Sequence, residues 1–409
     1  MFADVHELNQ HFVDIWRESN TGFPDLGPPY TAQAQTQNEA ALLRFLDQVE
    51  QVLAHPPRNR EEAQAVQLRL GPGIRCLAEE VLGIQGTQLD LFPSQAFSDV
   101  SEEFVRKARL FDSRLSAEEL YQAERNAWTA HGLQWLLGLP VQLTPAILAL
   151  SLLYPYTDNT LDDPAIASVT KLAFIHRLSQ RLADDSLKPV NTQEQTIFNL
   201  MRMIEDQYSR AEDSAVLESL SAIHDAQSQS MILLRGAAVP GDMDVLGLSF
   251  YKGGTSVLAD GYLVSSSLSG SQRQYTYGHG IFAQLLDDME DVEEDSLAGR
   301  LTIYSQPEGH SRLDTLANRT FHFGHSILMG LDCFEVDESA RELTRQAADL
   351  VLIDAIGRTD RFYSASYLSE LETHSPFRLS FLKEKRNDFF SRHAPLGKLM
   401  ERLLFFGKF

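Results

Sequence analysis

The sequence predicts an all-α protein, a helical bundle built around one large core. Three observations point there. Apolar residues recur at helical spacing, as in Ile197, Leu200, Met201, Ile204 and Tyr208, which follow the i, i+3, i+4, i+7, i+11 stripe of an amphipathic helix. Alternating strand-like runs bounded by turn dipeptides are scarce. Proline- and glycine-bearing breaks cut the chain into ten or more segments of helical length.

In chain order, residues 1 to about 110 are more polar and irregular than the rest of the chain. They are expected to form an N-terminal helical extension packed on a main helical domain over 111–409. Breaks are expected at "HPPRNR" (55–60), "LGPG" (70–73) and "LFPS" (91–94), then at "LGLP" (137–140), "KPVN" (188–191), "AVPGDMD" (238–244) and "YSQPEGH" (304–310). Between His131 and Asp158 no residue is charged, but Pro140, Pro145 and Pro155 interrupt the run. A membrane-spanning helix needs ~20 consecutive apolar residues, so this segment reads as a buried helix and no transmembrane segment is expected. Leu343, Ala347, Leu350, Val351 and Asp354 continue the helical period late in the chain.

Composition narrows the function. The chain has 409 residues, 43% of them hydrophobic, with 35 Lys and Arg against 57 Asp and Glu, for a net charge of -22. That balance repels nucleic acid, and no basic tract compensates for it. An anionic small molecule binds such a chain only through a local cation patch or a bound metal. Cys76 and Cys333 are the only cysteines. They form neither a disulfide framework nor a zinc cluster, which suits a reducing cytoplasm. The start, "MFADVHELNQ", lacks the basic and apolar regions of a secretory signal.

Two acidic clusters carry the chemistry. Over 281–295, Ile281, Phe282, Leu285, Leu286, Met289 and Val292 share one arc of a helix wheel. Asp287, Asp291 and Asp295 stand at i, i+4 and i+8 in a bordering arc, with Gln284 and Asp288 beside them. Like-charge pairs at this spacing destabilise a helix by about 0.2–0.5 kcal/mol each. A solvated acidic face tolerates that, and one run alone reads so. The second cluster changes the reading. "SLLYPYTDNTLDDPAI" (151–166) ends an uncharged helix with Asp158, Asn159, Asp162 and Asp163, where the negative end of the helix dipole disfavours acids. Two carboxylate faces, each joined to an apolar helix, suggest a cavity with metal at its mouth. Oxygen ligands without paired His or Cys favour Mg²⁺.

The motif "TDNTLDD" resembles the first D-(D/N)-x-x-D motif of the class I isoprenoid synthases. "GHGIFAQLLDDMED" resembles their second, D-D-x-x-D, motif. The resemblance covers roughly residues 115–305, and the D-N-x-x-D form is closest to the large-terpene, cyclase-like branch. It implies a helical bundle around a deep apolar pocket, with three Mg²⁺ ions holding the diphosphate of a prenyl substrate at its mouth. Asp158, Asn159 and Asp162 would hold one part of the metal cluster and Asp287, Asp288 and Asp291 the other. Catalysis would rest on Asp158, Asp162, Asp287 and Asp291. Asp295 takes the third position of the cyclases' alternative spacing and is a further metal candidate.

The same resemblance names diphosphate contacts. "FYKGGTSV" (250–257) is similar to the Lys-Thr helix break of the prenyl synthases, which makes Lys252 and Thr255 candidates, with Gly253 and Gly254 marking a kink that opens backbone groups to phosphate. Arg300 lies where the family keeps a basic residue, and Arg125 is on the helix before the first motif. His224, Gln227 and Gln229 belong to a helix bordering the pocket and rank last. A homodimer is left open.

Departures from the family direct the choice of reaction. The Gly-Gly-Lys-x-x-Arg-Pro stretch that binds isopentenyl diphosphate in chain elongases is absent, and "GPGIR" (71–75) lies too far upstream to replace it. The expected activity is therefore a Mg²⁺-dependent terpene synthase that releases pyrophosphate. A prenyltransferase joining two substrates is the neighbouring alternative. A degenerate protein that keeps the fold and binds lipid or a partner through the same pocket is the non-enzymatic one.

Overall fold

The computed structural model describes residues 2–54, 60–84, 94–163, 165–234, 244–306 and 312–393. Among them there are α-helices and short 3₁₀ or π turns, and no strand. In order the helices are α1 (Phe2–Glu18), α2 (Ala32–Ala54), α3 (Arg60–Cys76), α4 (Ser94–Phe111), α5 (Ala117–Leu136), α6 (Pro145–Asp162), α7 (Ser168–Ala183) and α8 (Thr192–Glu205). There follow α9 (Ser214–Ser230), α10 (Val245–Ser265), α11 (Gly270–Glu290), α12 (Val292–Ala298), α13 (Asp314–Leu328), α14 (Glu338–Arg358), α15 (Ala365–Glu372) and α16 (Leu379–His393). No helix among the described residues is long and apolar enough to cross a membrane.

Helix α10 lies at the centre. Fifteen of its residues are buried, from Val245 to Leu263, as expected of a helix that is apolar all round. It runs antiparallel to α11, and glycines let the two backbones meet. A Cβ on Gly253 would stand 2.6 Å from the Gly280 carbonyl oxygen, and one on Gly280 would stand 2.2 Å from the Gly253 oxygen. Gly254 gives way to the Tyr277 ring in the same manner. The expected kink at Gly253–Gly254 is not formed: α10 continues through both, and the glycines serve a helix crossing.

Other breaks are resolved by the helix ends. Thr144 caps α6 by accepting from the Ile147 N–H, and Pro145 occupies the first turn, where its missing N–H has no helical partner to lose. Pro155 sits inside α6 without ending it. Pro72 likewise lies within α3, so the break expected at 70–73 is absent. The breaks expected near 137–140 and 188–191 separate α5 from α6 and α7 from α8. Those near 55–60, 91–94, 238–244 and 304–310 lie wholly or partly outside the described residues.

The first 110 residues contribute directly to the main core. Val5, Leu8, Phe12, Val13 and Trp16 of α1 and Val100, Phe104 and Ala108 of α4 belong to the same cluster as the α10 and α11 residues. Phe12 stacks on Tyr277, and Trp16 meets Phe250 and Phe323 edge to face. Asn9 donates to the Gly247 carbonyl and accepts from the Tyr277 hydroxyl. Helix α2 and the turn at 77–81 form a second cluster with Phe377, Phe381 and Leu382. There Glu39 holds the Arg378 guanidinium through both carboxylate oxygens.

Candidate functional site

Side-chain contacts fix which helix ends meet. Ser249 donates to Asp288 across α10 and α11. The Tyr154 and Ser256 hydroxyls join α6 to α10 at 2.5 Å. Tyr251 donates to Asp225 at 3.0 Å, joining α10 to α9, and Gln227 of α9 donates to Asp158 of α6. One end of the bundle therefore gathers the C-terminal turns of α6, α9 and α11 and the N-terminal turns of α10. Both acidic motifs stand at that end. Arg125 of α5 reaches the second one, with its guanidinium 3.3 Å from Asp287.

Each expected residue takes a definite position. Asp158 is half-buried and accepts from Gln227 and, at 3.4 Å, from Thr157. Asn159 is exposed on the last turns of α6. Asp162 is in the final turn of that helix, and its side chain lies outside the described ones. Lys171, which the sequence did not single out, donates to the Leu161 carbonyl. It sets a cation at the negative end of α6, whose own last turn carries no basic residue. Lys252 is half-buried one turn before Ser256 on α10, and Asp158 is one turn after Tyr154 on α6. The Tyr154–Ser256 contact, with Asn126 bonded to both Ser151 and Asp260, gives an antiparallel register that brings the two towards one level.

The second motif spans two helices. Helix α11 ends at Glu290, Asp291 is the joint, and α12 begins at Val292. The Asp291 N–H still reaches the Asp287 carbonyl, and the Asp295 N–H the Asp291 carbonyl, which keeps Asp287, Asp291 and Asp295 on one side. Burial, then repulsion from Asp287 and Glu290, pushes the Asp291 carboxyl up to about 7. Burial also raises Asp295, to about 6, against the pull of Arg300. The Arg300 guanidinium is 3.6 Å from the Asp295 carboxylate.

Two expected contacts point elsewhere. Asp288 is buried, and its two oxygens accept from Gln284 and Ser249, so it is committed inside the α10–α11 packing. Burial pushes its carboxyl up to about 7. Thr255 is also buried, and its hydroxyl donates to the Tyr251 and Lys252 carbonyls. Neither is presented at the mouth. His224 pairs with Ser179 at 2.7 Å, and Gln229 donates to Asp225.

Among the described residues no three His, Cys, Asp or Glu side chains form a ready-made metal cage. Mg²⁺ does not require one, since it keeps several waters and binds through one or two carboxylates plus substrate phosphates. Asp287, Asp291 and Asp295 fit such a cation: they are partly desolvated, mutually repelling oxygen donors. Asp288 is set back from them, 4% exposed within the α10–α11 packing. An apolar cavity of about 50 Å³ lies beside the first motif, walled by Leu153, Tyr154, Met201, Leu220, Ile223 and Gln227, among others. A dry cavity of ~150 Å³ admits benzene and this one is smaller, so a prenyl chain would enter only if its walls part.

Sequence reading missed the polar group beneath the mouth. Asn126 of α5 donates to Asp260 at 3.1 Å and to the Ser151 hydroxyl at 3.2 Å. Asp260 is fully buried on α10. The signal was present as a lone acid inside the apolar run "TSVLADGYLV". No protein-family model, no curated protein and no solved structure matches the chain.

Proposed function

We propose that the chain is a Mg²⁺-dependent enzyme that ionises an allylic prenyl diphosphate and releases pyrophosphate, a terpene synthase of the class I type. The observation that carries this reading is the meeting of the two acidic motifs at one end of the bundle, with Arg125, Lys252 and Arg300 around them. Mg²⁺ bound there would neutralise the leaving diphosphate as a Lewis acid. The protein's own part is to gather the carboxylates, to set cations beside them and to exclude water. Arg125, paired with Asp287, would be placed to contact diphosphate oxygens if that carboxylate held a metal. Its planar guanidinium suits bidentate contact with phosphate. Apolar α6 and the ring of Tyr154 offer the hydrocarbon a dry wall with an aromatic face, which favours a carbocation.

Incubation with geranyl, farnesyl and geranylgeranyl diphosphates tests the reading, with and without Mg²⁺ and isopentenyl diphosphate. Pyrophosphate release and mass spectrometry of the extract are the readouts. The expected result is Mg²⁺-dependent release without isopentenyl diphosphate, lowered on the order of a hundredfold in Asp158→Ala and Asp287→Ala, as when a preorganised electrostatic group is lost. Release that requires isopentenyl diphosphate means a prenyltransferase. No release from any allylic diphosphate overturns the enzymatic reading.

A further inference from the structure

Helix α10 carries one polar stripe through an apolar interior. Lys252, Ser256 and Asp260 stand at i, i+4 and i+8, and neighbouring turns are filled by Phe250, Val257, Leu258 and Leu263, all buried. The stripe starts at the mouth and descends about 12 Å, eight residues at the helical rise. Ser256 meets the Tyr154 hydroxyl, and Tyr154 also walls the apolar cavity. Asp260 is at the inner end, 0% exposed.

The Asp260 carboxyl is half-satisfied. Its Oδ1 accepts from the Asn126 amide at 3.1 Å. Its Oδ2 is buried with no hydrogen-bond partner among the described residues. A buried carboxyl with one oxygen unpaired is disfavoured, and an apolar side chain would fill the space without that penalty. Among the described residues no guanidinium, ammonium or imidazole pairs with Asp260. Burial raises its carboxyl well above the usual range, which favours the protonated form on the interior side of the motifs. Burial raises the Tyr154 phenol as well, which keeps it neutral too.

We propose that Asp260 is a proton-transfer residue acting on the hydrocarbon part of the substrate, inward of the diphosphate site; this rests on the function proposed above. The substrate for this step is a neutral polyene, either the prenyl chain itself or an olefin formed when a first carbocation loses a proton. The Asp260 O–H bond breaks as an alkene π pair forms the new C–H bond. Positive charge appears on the neighbouring carbon, and the O–H electron pair stays on the carboxylate, which the Asn126 N–H already faces. The cation and carboxylate attract strongly in a medium of low dielectric. After rearrangement, a C–H bond next to the cationic carbon breaks, its electrons become a new C=C bond, and the proton returns to Asp260. No co-reactant is consumed, and the carboxyl ends as it began.

The test uses the full chain in D₂O with Mg²⁺ and the three allylic diphosphates. Pyrophosphate release and carbon-bound deuterium in the extracted hydrocarbon are measured for the wild type and for Asp260→Asn, whose melting temperature serves as the fold control. The expected wild-type product carries deuterium. Asp260→Asn lowers deuterium incorporation at least tenfold more than it lowers pyrophosphate release, and a less rearranged, unlabelled olefin accumulates. Unlabelled wild-type product, or equal labelling in the variant, overturns the role of Asp260. Labelled hydrocarbon without pyrophosphate release keeps that role and overturns diphosphate ionisation. Absence of both products overturns both ideas.

Discussion

Asp291 shows how a single residue reports on the site. Its carboxyl is pushed up to about 7 by burial and by Asp287 and Glu290, while in the unfolded chain it titrates near 3.9. Between those values the folded protein keeps a proton that the unfolded chain releases. Stability from this group is therefore present at low pH and lost as pH rises towards about 7. Buried His279, held down to about 4 by burial, acts in the opposite direction below pH 6.5, because only the unfolded chain gains its proton. The whole-protein profile mixes the two, so the informative quantity is a difference. In metal-free buffer, Asp291→Asn is expected to raise the melting temperature at pH 8 and to narrow its advantage towards pH 5.5. Thermal scans across that range check it, and an equal offset at every pH would remove Asp291 from the cluster. The sequence already contained this crowding, because i and i+4 aspartates on one helix are legible without a fold. What it did not contain was the partner of each acid. Arg125 meets Asp287 from 162 positions away, and Gln227, ranked last among the candidates, is the donor on Asp158.

At the scale of elements, Gly253 and Gly254 were legible as exceptions inside a helix but not in their purpose. A glycine pair costs ~1 kcal/mol per residue in helix propensity whether it bends the helix or lets a neighbour approach. Only the position of α11 decides between these, and it shows an approach: the Gly253 and Gly280 backbones are in contact. The rigid carbonyls on both sides cannot rotate away from a new methyl group. Gly280→Ala is expected to destabilise the protein by about 1–3 kcal/mol, the usual range for overpacking. Gly132→Ala on α5, where a Cβ meets nothing within 4 Å, is expected to stabilise it by about 0.4–1 kcal/mol. Urea denaturation of the two variants measures the contrast. A neutral Gly280→Ala would mean that α10 and α11 are not held this close. Prolines mislead for a related reason. Pro155 and Pro72 each forfeit one backbone hydrogen bond, yet both helices continue through them.

For the whole molecule, periodicity revealed the helical class, while the partners of each helix depended on contacts distant in sequence. Helix α1 looks polar by composition, yet Phe12 and Trp16 place it against α10, α11 and α13. A boundary near residue 110 therefore separates compositions more clearly than it separates cores. The same architecture brings the carboxylates of α6 and α11 to one end, and like charges gathered there are an arrangement that a bound cation should stabilise. On the function proposed above, Mg²⁺ with pyrophosphate is expected to bind the folded arrangement and not the unfolded chain. Mass action then adds about 2.7 kcal/mol at a hundredfold excess over the dissociation constant, visible as a rise in melting temperature. Mg²⁺ alone should give a smaller rise, because phosphate oxygens complete its coordination. In the double variant Asp158→Ala, Asp287→Ala the shift should vanish. The metal-free double variant should melt no lower than the wild type, because fewer like charges face one another. A double variant that keeps the full shift would place the ligand elsewhere on the molecule, and a wild type that shows none would favour a helical protein that binds through this fold without turning over a diphosphate.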